Sequence, residues 1–277
     1  MNRREARALL SIAGSDPSGG AGIQADLKTF TALGAYGCAV ITSLTVQNTL
    51  GVQSCHPLPP DLVFQQTAAV LADFAVSHVK IGMIGTTAIG TALCQALAGF
   101  TGEVIYDPVV FSSVGKPRQT TDSMDGIRQV AARATVLTPN RDELQILTGF
   151  DATTLTEAVA AAQGLFTSCP QLKAVVIKGG HLNQDQSEVT DTLLLAGEEQ
   201  PLFRTHPRII SANTHGTGCT FAAALAAFHQ KSGDYPDAFR RSVDFLDTLL
   251  ALSAPYRLGQ GTGGLCHHLY SHVTGNE

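Results

Sequence analysis

Tryptophan is absent from the 277 residues, aromatic side chains reach only 6%, and charged residues only 15%. So little charge excludes a coiled coil, and an apolar content of 44% excludes an intrinsically disordered chain. No apolar run reaches the ~18–20 residues that cross a bilayer. Closely spaced cysteines are missing as well. The nearest two of the six, Cys38 and Cys55, stand 17 positions apart, so there is no CxxC pair for zinc or dithiol chemistry. Scattered thiols are expected in a reducing compartment, which makes the cytoplasm the expected location. Basic charge is not in excess: 18 Lys and Arg face 23 Asp and Glu, for a net charge of −5. Neither nucleic acid nor a membrane is therefore an expected partner. The segment MNRREARALLSIAG carries charges before an apolar stretch, but that stretch is too short for a signal-peptide core and reads as a first strand.

What the chain does have is alternation. Short apolar runs (Ala6–Ala13, Cys38–Val46, His78–Ile81, Glu103–Tyr106, Thr135–Leu137, Ala174–Lys178) read as strands, with Thr190–Leu195 and Arg208–Ile210 as two more. Between them lie helical patterns. Ile23, Leu27, Phe30 and Leu33 recur at helical spacing up to Gly34, Thr154 and Glu157 form a capping box, and Thr217–His229 and Ala238–Leu252 are long helices. Strand–helix alternation predicts an α/β protein with a mostly parallel sheet covered on both faces, and one domain over residues 1–277 is the economical reading. Ligands of such sheets sit beyond the carboxyl ends of the strands.

Five strand-end segments are unusual. Gly14-Ser15-Asp16-Pro17-Ser18-Gly19-Gly20-Ala21-Gly22 follows the first strand and opens a helix, which suits either a ligand-hugging loop or a tight turn. Asn213-Thr214-His215-Gly216-Thr217-Gly218-Cys219-Thr220 enters the Ala-rich helix. Its glycines can present backbone N–H groups to an anion, and a first-turn Cys219 should favour the thiolate; the plainer reading is a capping loop with His215 at the surface. In Thr138-Pro139-Asn140-Arg141-Asp142-Glu143, Asn140 and Glu143 suit a hydrated Mg²⁺ or, equally, an ordinary helix cap. Lys178, followed by Gly179-Gly180-His181, can reach a phosphate or simply end a strand. Asp107-Pro108-Val109-Val110 precedes a polar stretch, and residues 108–123 read as a mobile lid.

The stretches AGSDPSGGAGIQADLKTFTALGAYG, TSLTVQNT, KIGM, TPNRDE, VIKGGH and NTHGTGCT together resemble the hydroxymethylpyrimidine/phosphomethylpyrimidine kinases of thiamine biosynthesis, from about Ala13 to Leu252. The resemblance implies a ribokinase-like three-layer α/β/α fold, a homodimer, and ATP with Mg²⁺. It implies that Gln47 binds the aminopyrimidine, that Asp26 approaches the hydroxymethyl group, and that Gly14, Ala21, Met83, Val109 and Val110 line the ring pocket. By the same resemblance Lys178, Thr214, Gly216, Thr217 and Gly218 bind phosphate, Asn140, Glu143 and Asp107 attend the metal, and Cys219 is the base where sugar-kinase relatives carry Asp. Two departures stand out: the lid lysine of relatives aligns near Ser113, and GQGTGGLCHH differs from the usual GHGxGP-like segment, which bears on Gly261, Gly263 and His267. The alternatives are a pyridoxal or pyridoxine kinase and a non-catalytic vitamin-binding sensor.

Overall fold

The computed structural model describes residues 7–109, 123–181 and 187–270. Among them nine strands form one sheet in the order β3-β2-β1-β4-β5-β6-β7-β8-β9. These are β1 (Ala8–Ser15), β2 (Tyr36–Asn48), β3 (Gly51–Pro57), β4 (Val76–Ile81), β5 (Glu103–Tyr106), β6 (Val136–Leu137), β7 (Ala174–Ile177), β8 (Glu188–Leu195) and β9 (Leu202–Pro207). β2, β1, β4, β5, β6 and β7 run parallel, while β3 at one edge and β8–β9 at the other are antiparallel.

The period of two along buried strands sorts side chains between two helix layers. Leu10, Ile12, Val79 and Ile81 join one core with α2 (Pro60–Asp73), α3 (Thr87–Ala96), α4 (Met124–Arg133), α5 (Arg141–Thr148) and α6 (Leu155–Ser168). Leu9, Ile105 and Val176 join the other with α1 (Gly22–Ala32), α7 (Thr217–Ser232) and α8 (Tyr235–Ser253). Three layers result, as expected. α7 is buried at every position from Cys219 to His229, the mark of a helix enclosed on all sides. Its five buried alanines let it lie close to the sheet; enlarging Ala223, which is fully buried, to Leu should cost ~1–3 kcal/mol by overpacking.

The Thr154–Glu157 capping box is present. Other expectations need correction. Arg208–Ile210 is not a strand: Arg208 N–H still bonds to Ser187 O, just past the Glu188–Pro207 pair that ends the β8–β9 ladder, and Ile210 is 90% exposed. The edge strand is β9, and its mixed polar pattern reflects a mostly solvent-facing position. The β3 hairpin strand and α4 are further elements that the apolar pattern does not announce. Within the expected lid only Pro108, Val109 and Ser123 are described; Val110, Ser113 and the stretch between them lie outside the described residues.

Candidate active site

A cavity opens at the carboxyl edge of β1, β2 and β4, with some 320 Å³ of empty space including its mouth. Gly14, Ala21, Gln47, Met83, Val109 and Cys219, all expected at the site, line it together with Ala13, Asp16 and Thr45. Asp26 does not. It is wholly buried behind the wall, where its carboxylate accepts from Lys80 Nζ at 2.9 and 3.0 Å and from Ser11 Oγ at 2.6 Å. Asp26, expected to approach a substrate, is therefore placed behind the cavity wall here, with a carboxylate that already accepts three hydrogen bonds.

The loop after β1 is organised by Asp16, which sequence reasoning passed over. One carboxylate oxygen accepts from Ser18 N–H and Ser18 Oγ, and the other from Gly20 N–H, Ala21 N–H and His215 Nε2 at 2.8 Å. A carboxylate only accepts, so Nε2 of His215 carries the proton. Burial would raise the Asp16 pKa, but the bonds from His215 and Ser18 win and hold it well below the usual carboxylate range. His215 is thus no surface residue; it is 8% exposed and joins the first Gly-rich loop to the second. Asp-x-Ser followed by Gly-Gly, a spacing that suits capping of a loop's N–H groups, is the sequence signal that could have found Asp16.

The second loop turns at Gly216, whose φ of +84° and the Gly20 carbonyl 1.8 Å from any added Cβ admit only glycine. α7 then starts, and its first-turn N–H groups lack intrahelical acceptors. Gly218 lies against Lys178 Nζ and Asp107 Oδ2, 3.3 and 3.5 Å from where a Cβ would stand. Thr217 borders this turn, whereas Thr214 is exposed at the loop's outside. Lys178 Nζ pairs with Asp107 at 2.6 Å and Glu143 at 3.3 Å, and Thr138 Oγ1 donates to the same Asp107 oxygen at 3.0 Å. The other oxygen, Asp107 Oδ2, is buried without a partner among the described residues. Burial alone would raise Asp107, but Lys178 and Lys80 bring it down. Glu143 goes the other way, pushed up to about 7 by burial and by Asp107 against the pull of Lys178. Asn140 and Glu143 form a reciprocal capping box, so the plainer of their two readings is realised. Lys178, Asp107 and Glu143 do converge.

The carboxyl-terminal glycine segment closes the site. Gly261 N–H bonds to Thr49 Oγ1, Gly263 packs on Asn213, and Gly264 on Gly20. His267 Nδ1 donates to Leu265 O, which leaves Nε2 to accept from Thr220 Oγ1 at 3.0 Å. Lys80 is the other residue that sequence reasoning left without a role. A charged residue between Val79 and Ile81 in a central strand was its signal.

One mostly parallel sheet between two helix layers, with two Gly-rich loops and a cavity at its carboxyl edge, is the arrangement of a ribokinase-like small-molecule kinase. The chain belongs to the phosphomethylpyrimidine kinase family, whose model matches residues 16–266. It is 40% identical over 265 residues to the hydroxymethylpyrimidine/phosphomethylpyrimidine kinase of Escherichia coli, covering 95% of this chain and 97% of that one. A chloroplastic bifunctional thiamine biosynthetic enzyme of Arabidopsis thaliana is 38% identical, with 51% of its length covered. Among solved structures, a phosphomethylpyrimidine kinase from Clostridium difficile matches with TM-score 0.75 and 30% identity over 87% of this chain and 98% of that one. A Bacillus subtilis pyridoxal kinase bound to ADP matches with TM-score 0.83 and 29% identity over 98% and 100%.

Proposed function

We propose that this kinase transfers the γ-phosphoryl group of ATP twice, first to the hydroxymethyl oxygen of 4-amino-5-hydroxymethyl-2-methylpyrimidine and then to the resulting monophosphate. The observation that carries this reading is the position of Cys219, which lines the cavity from the first turn of α7, where helix-start N–H groups can hold a phosphoryl group. In the first transfer the carbinol oxygen attacks phosphorus, ADP leaves, and the carbinol proton passes to the Cys219 thiolate. N–H groups of Gly216–Cys219 and the Lys178 ammonium meet the charge that grows on the transferred group. In the second transfer the nucleophile is already an anionic oxygen and needs a base much less.

Mg²⁺ fits here on one structural observation, the unpartnered Asp107 Oδ2; Asp107 and Glu143, with Asn140 beside them, would hold it largely through water, and bound there it neutralises phosphate charge. Gln47 offers both donor and acceptor to an aminopyrimidine edge. The expected homodimer is supported by Leu44, Val46 and Leu50, apolar side chains left exposed on β2 and the β2–β3 turn. A cytoplasmic location fits the free cysteines.

The test is a panel of hydroxymethylpyrimidine, its monophosphate, pyridoxal and pyridoxine with MgATP, with products read by mass. Pyridoxal earns its arm because pyridoxal kinases overlay this chain over 98% of its length. Both pyrimidines should be phosphorylated. Cys219→Ala should slow the first transfer by ~10²–10⁴ and the second much less. Equal losses in both steps would refute the base role, and no ADP release with any acceptor would leave a vitamin-binding sensor.

A further inference from the structure

We infer that His206, held as an imidazolium between Asp191 and Asp247, is a positioning residue that acts through Asp191 and fixes the Lys178–Gly179 peptide for phosphoryl transfer. The inference rests on the reading of Lys178 as the ammonium that meets the transferred group, and it gives the antiparallel edge of the sheet a part in the reaction.

The path starts at the end of β7. Ile177 makes the last pair of β7 with β8, opposite Thr192. Lys178 then leaves the ladder, its N–H bonded to Pro139 O at 3.0 Å and its Nζ set against Asp107 and Glu143. The next N–H is met by a side chain: Gly179 donates to Asp191 Oδ1 at 2.7 Å. Gly179 also sits so tightly on β8 that an added Cβ would stand 2.0 Å from Thr190 O. The backbone of Thr190 and the carboxylate of Asp191 thus grip the peptide next to the Lys178 side chain.

Asp191 is itself only 7% exposed, and a carboxylate so buried needs a compensating charge. Arg204 stands directly opposite it in β9 but pairs with Asp244 of α8, at 2.5 Å and half open to water. His206 is two residues further along the same face of β9. Its Nε2 lies 3.3 Å from Asp191 Oδ2, and its Nδ1 lies 2.9 Å from Asp247 Oδ2 of α8. A carboxylate only accepts, so both ring nitrogens must carry protons for the two contacts to attract, and a doubly protonated ring is a cation. Neither contact has the alignment of a hydrogen bond, so the charge itself holds the ring in place. The charged groups around the ring are Asp191 from β8, Asp244 and Asp247 from α8, and Arg204 on its own strand. Burial would lower the His206 pKa, but Asp191 and Asp247 raise it to about 9. Once the ring is neutral, two buried carboxylates are left facing one another's charge, and Asp191 loses its reason to stay under Gly179.

The test compares His206→Leu, His206→Arg and Asp247→Asn in steady-state assays of both transfers, with Lys178→Met beside them. H206L removes the charge, and kcat of both transfers should fall by ~10–10², within what a misplacement of about 1 Å costs, while the acceptor KM stays unchanged. H206R keeps the charge and should restore most of kcat. In the native enzyme kcat should decline through about pH 9 as the imidazolium is lost, and H206R should lack this alkaline limb. D247N removes one of the two carboxylates that hold the proton, so the limb should move to lower pH by ~1 unit; this variant decides the matter if a His206 variant does not fold. The His206 ring resonances, followed by NMR, should titrate at the midpoint of the limb. Full kcat in H206L with K178M impaired, a limb that persists in H206R, or a limb that D247N leaves in place would overturn the inference. The pH midpoint of iodoacetamide alkylation at Cys219, read by peptide mass spectrometry, should be the same in every His206 variant; a shift would put the effect at the base and overturn the inference as well. Failure of the Lys178 reading looks different: K178M would keep its kcat while the His206 resonances still titrated near pH 9.

Discussion

Helix α7 carries a buried titratable side chain at each end. At its start stands Cys219, packed with Ala21 and Ala25 of α1's entry; near its finish His229 meets His78. The two ends treat buried polarity differently. At the histidine end most groups satisfy one another, His229 Nε2 excepted. His78 Nδ1 bonds to Ser77 Oγ, His229 stacks on Tyr235 at 4.1 Å, and Tyr235 donates to Glu103, which also takes Lys173. At the cysteine end an Asp107 oxygen has no partner among the described residues, and a cavity opens at Cys219. Buried polar groups as such do not mark a site. Unspent hydrogen-bonding and charge capacity beside an opening does.

The strongest way to break this contrast is to remove the charge at the cavity's phosphate side. Lys178→Met should lower kcat for both transfers by ~10²–10³, the loss typical of one preorganised electrostatic group, whereas Cys219→Ala separates the two. A K178M enzyme with near-normal kcat would show that the Asp107–Lys178–Glu143 cluster is structural, like its counterpart at the histidine end.

A smaller effect is expected from Asp16→Asn. The amide keeps the shape but offers one acceptor oxygen where the carboxylate offered two to five donors, so some of Ser18, Gly20, Ala21 and His215 lose their partner. Stability should drop by ~1–3 kcal/mol, and the acceptor KM should rise more than kcat falls, because the loop that lines the pocket loosens. Denaturation curves and steady-state kinetics check both. A fall in kcat at unchanged KM would put Asp16 with the reacting groups instead.

How far the sequence could be read follows the same contrast. The three-layer fold and the Gly-rich strand ends at Gly14 and Gly216 were legible, because apolar periodicity and glycine clusters are local signals; Gln47, which lines the cavity, entered only through the resemblance. Asp16–His215 and Lys80–Asp26 were not. Their partners lie 199 and 54 positions apart, and neither residue type declares which distant group will neutralise it. Asp26 shows the cost of carrying a role over by motif: its segment matches, yet a lysine on a neighbouring strand occupies its carboxylate. β9 and α4 escaped because edge strands and short surface helices have mixed patterns that periodicity does not resolve.

The histidine end offers the smallest and cleanest test. Burial and the charge of its neighbour lower His78 to about 4, from an ordinary imidazole value of 6.5, and burial lowers His229 too. The folded state therefore resists a proton that the unfolded chain accepts. Stability from this pair is complete above about pH 6.5 and is lost as pH falls toward about 4. Between about pH 7 and about pH 5, His78 alone should remove ~2 kcal/mol from the unfolding free energy. Carboxylates held low, such as Glu103 at about 2, respond only in stronger acid, so the two windows separate. His78→Gln should flatten the loss between those pH values by ~1–2 kcal/mol while leaving the alkylation midpoint of Cys219 and both transfer rates unchanged. If H78Q instead shifted the Cys219 midpoint, the two ends of α7 would be electrostatically one region, and the division between a spent and an unspent end would fail.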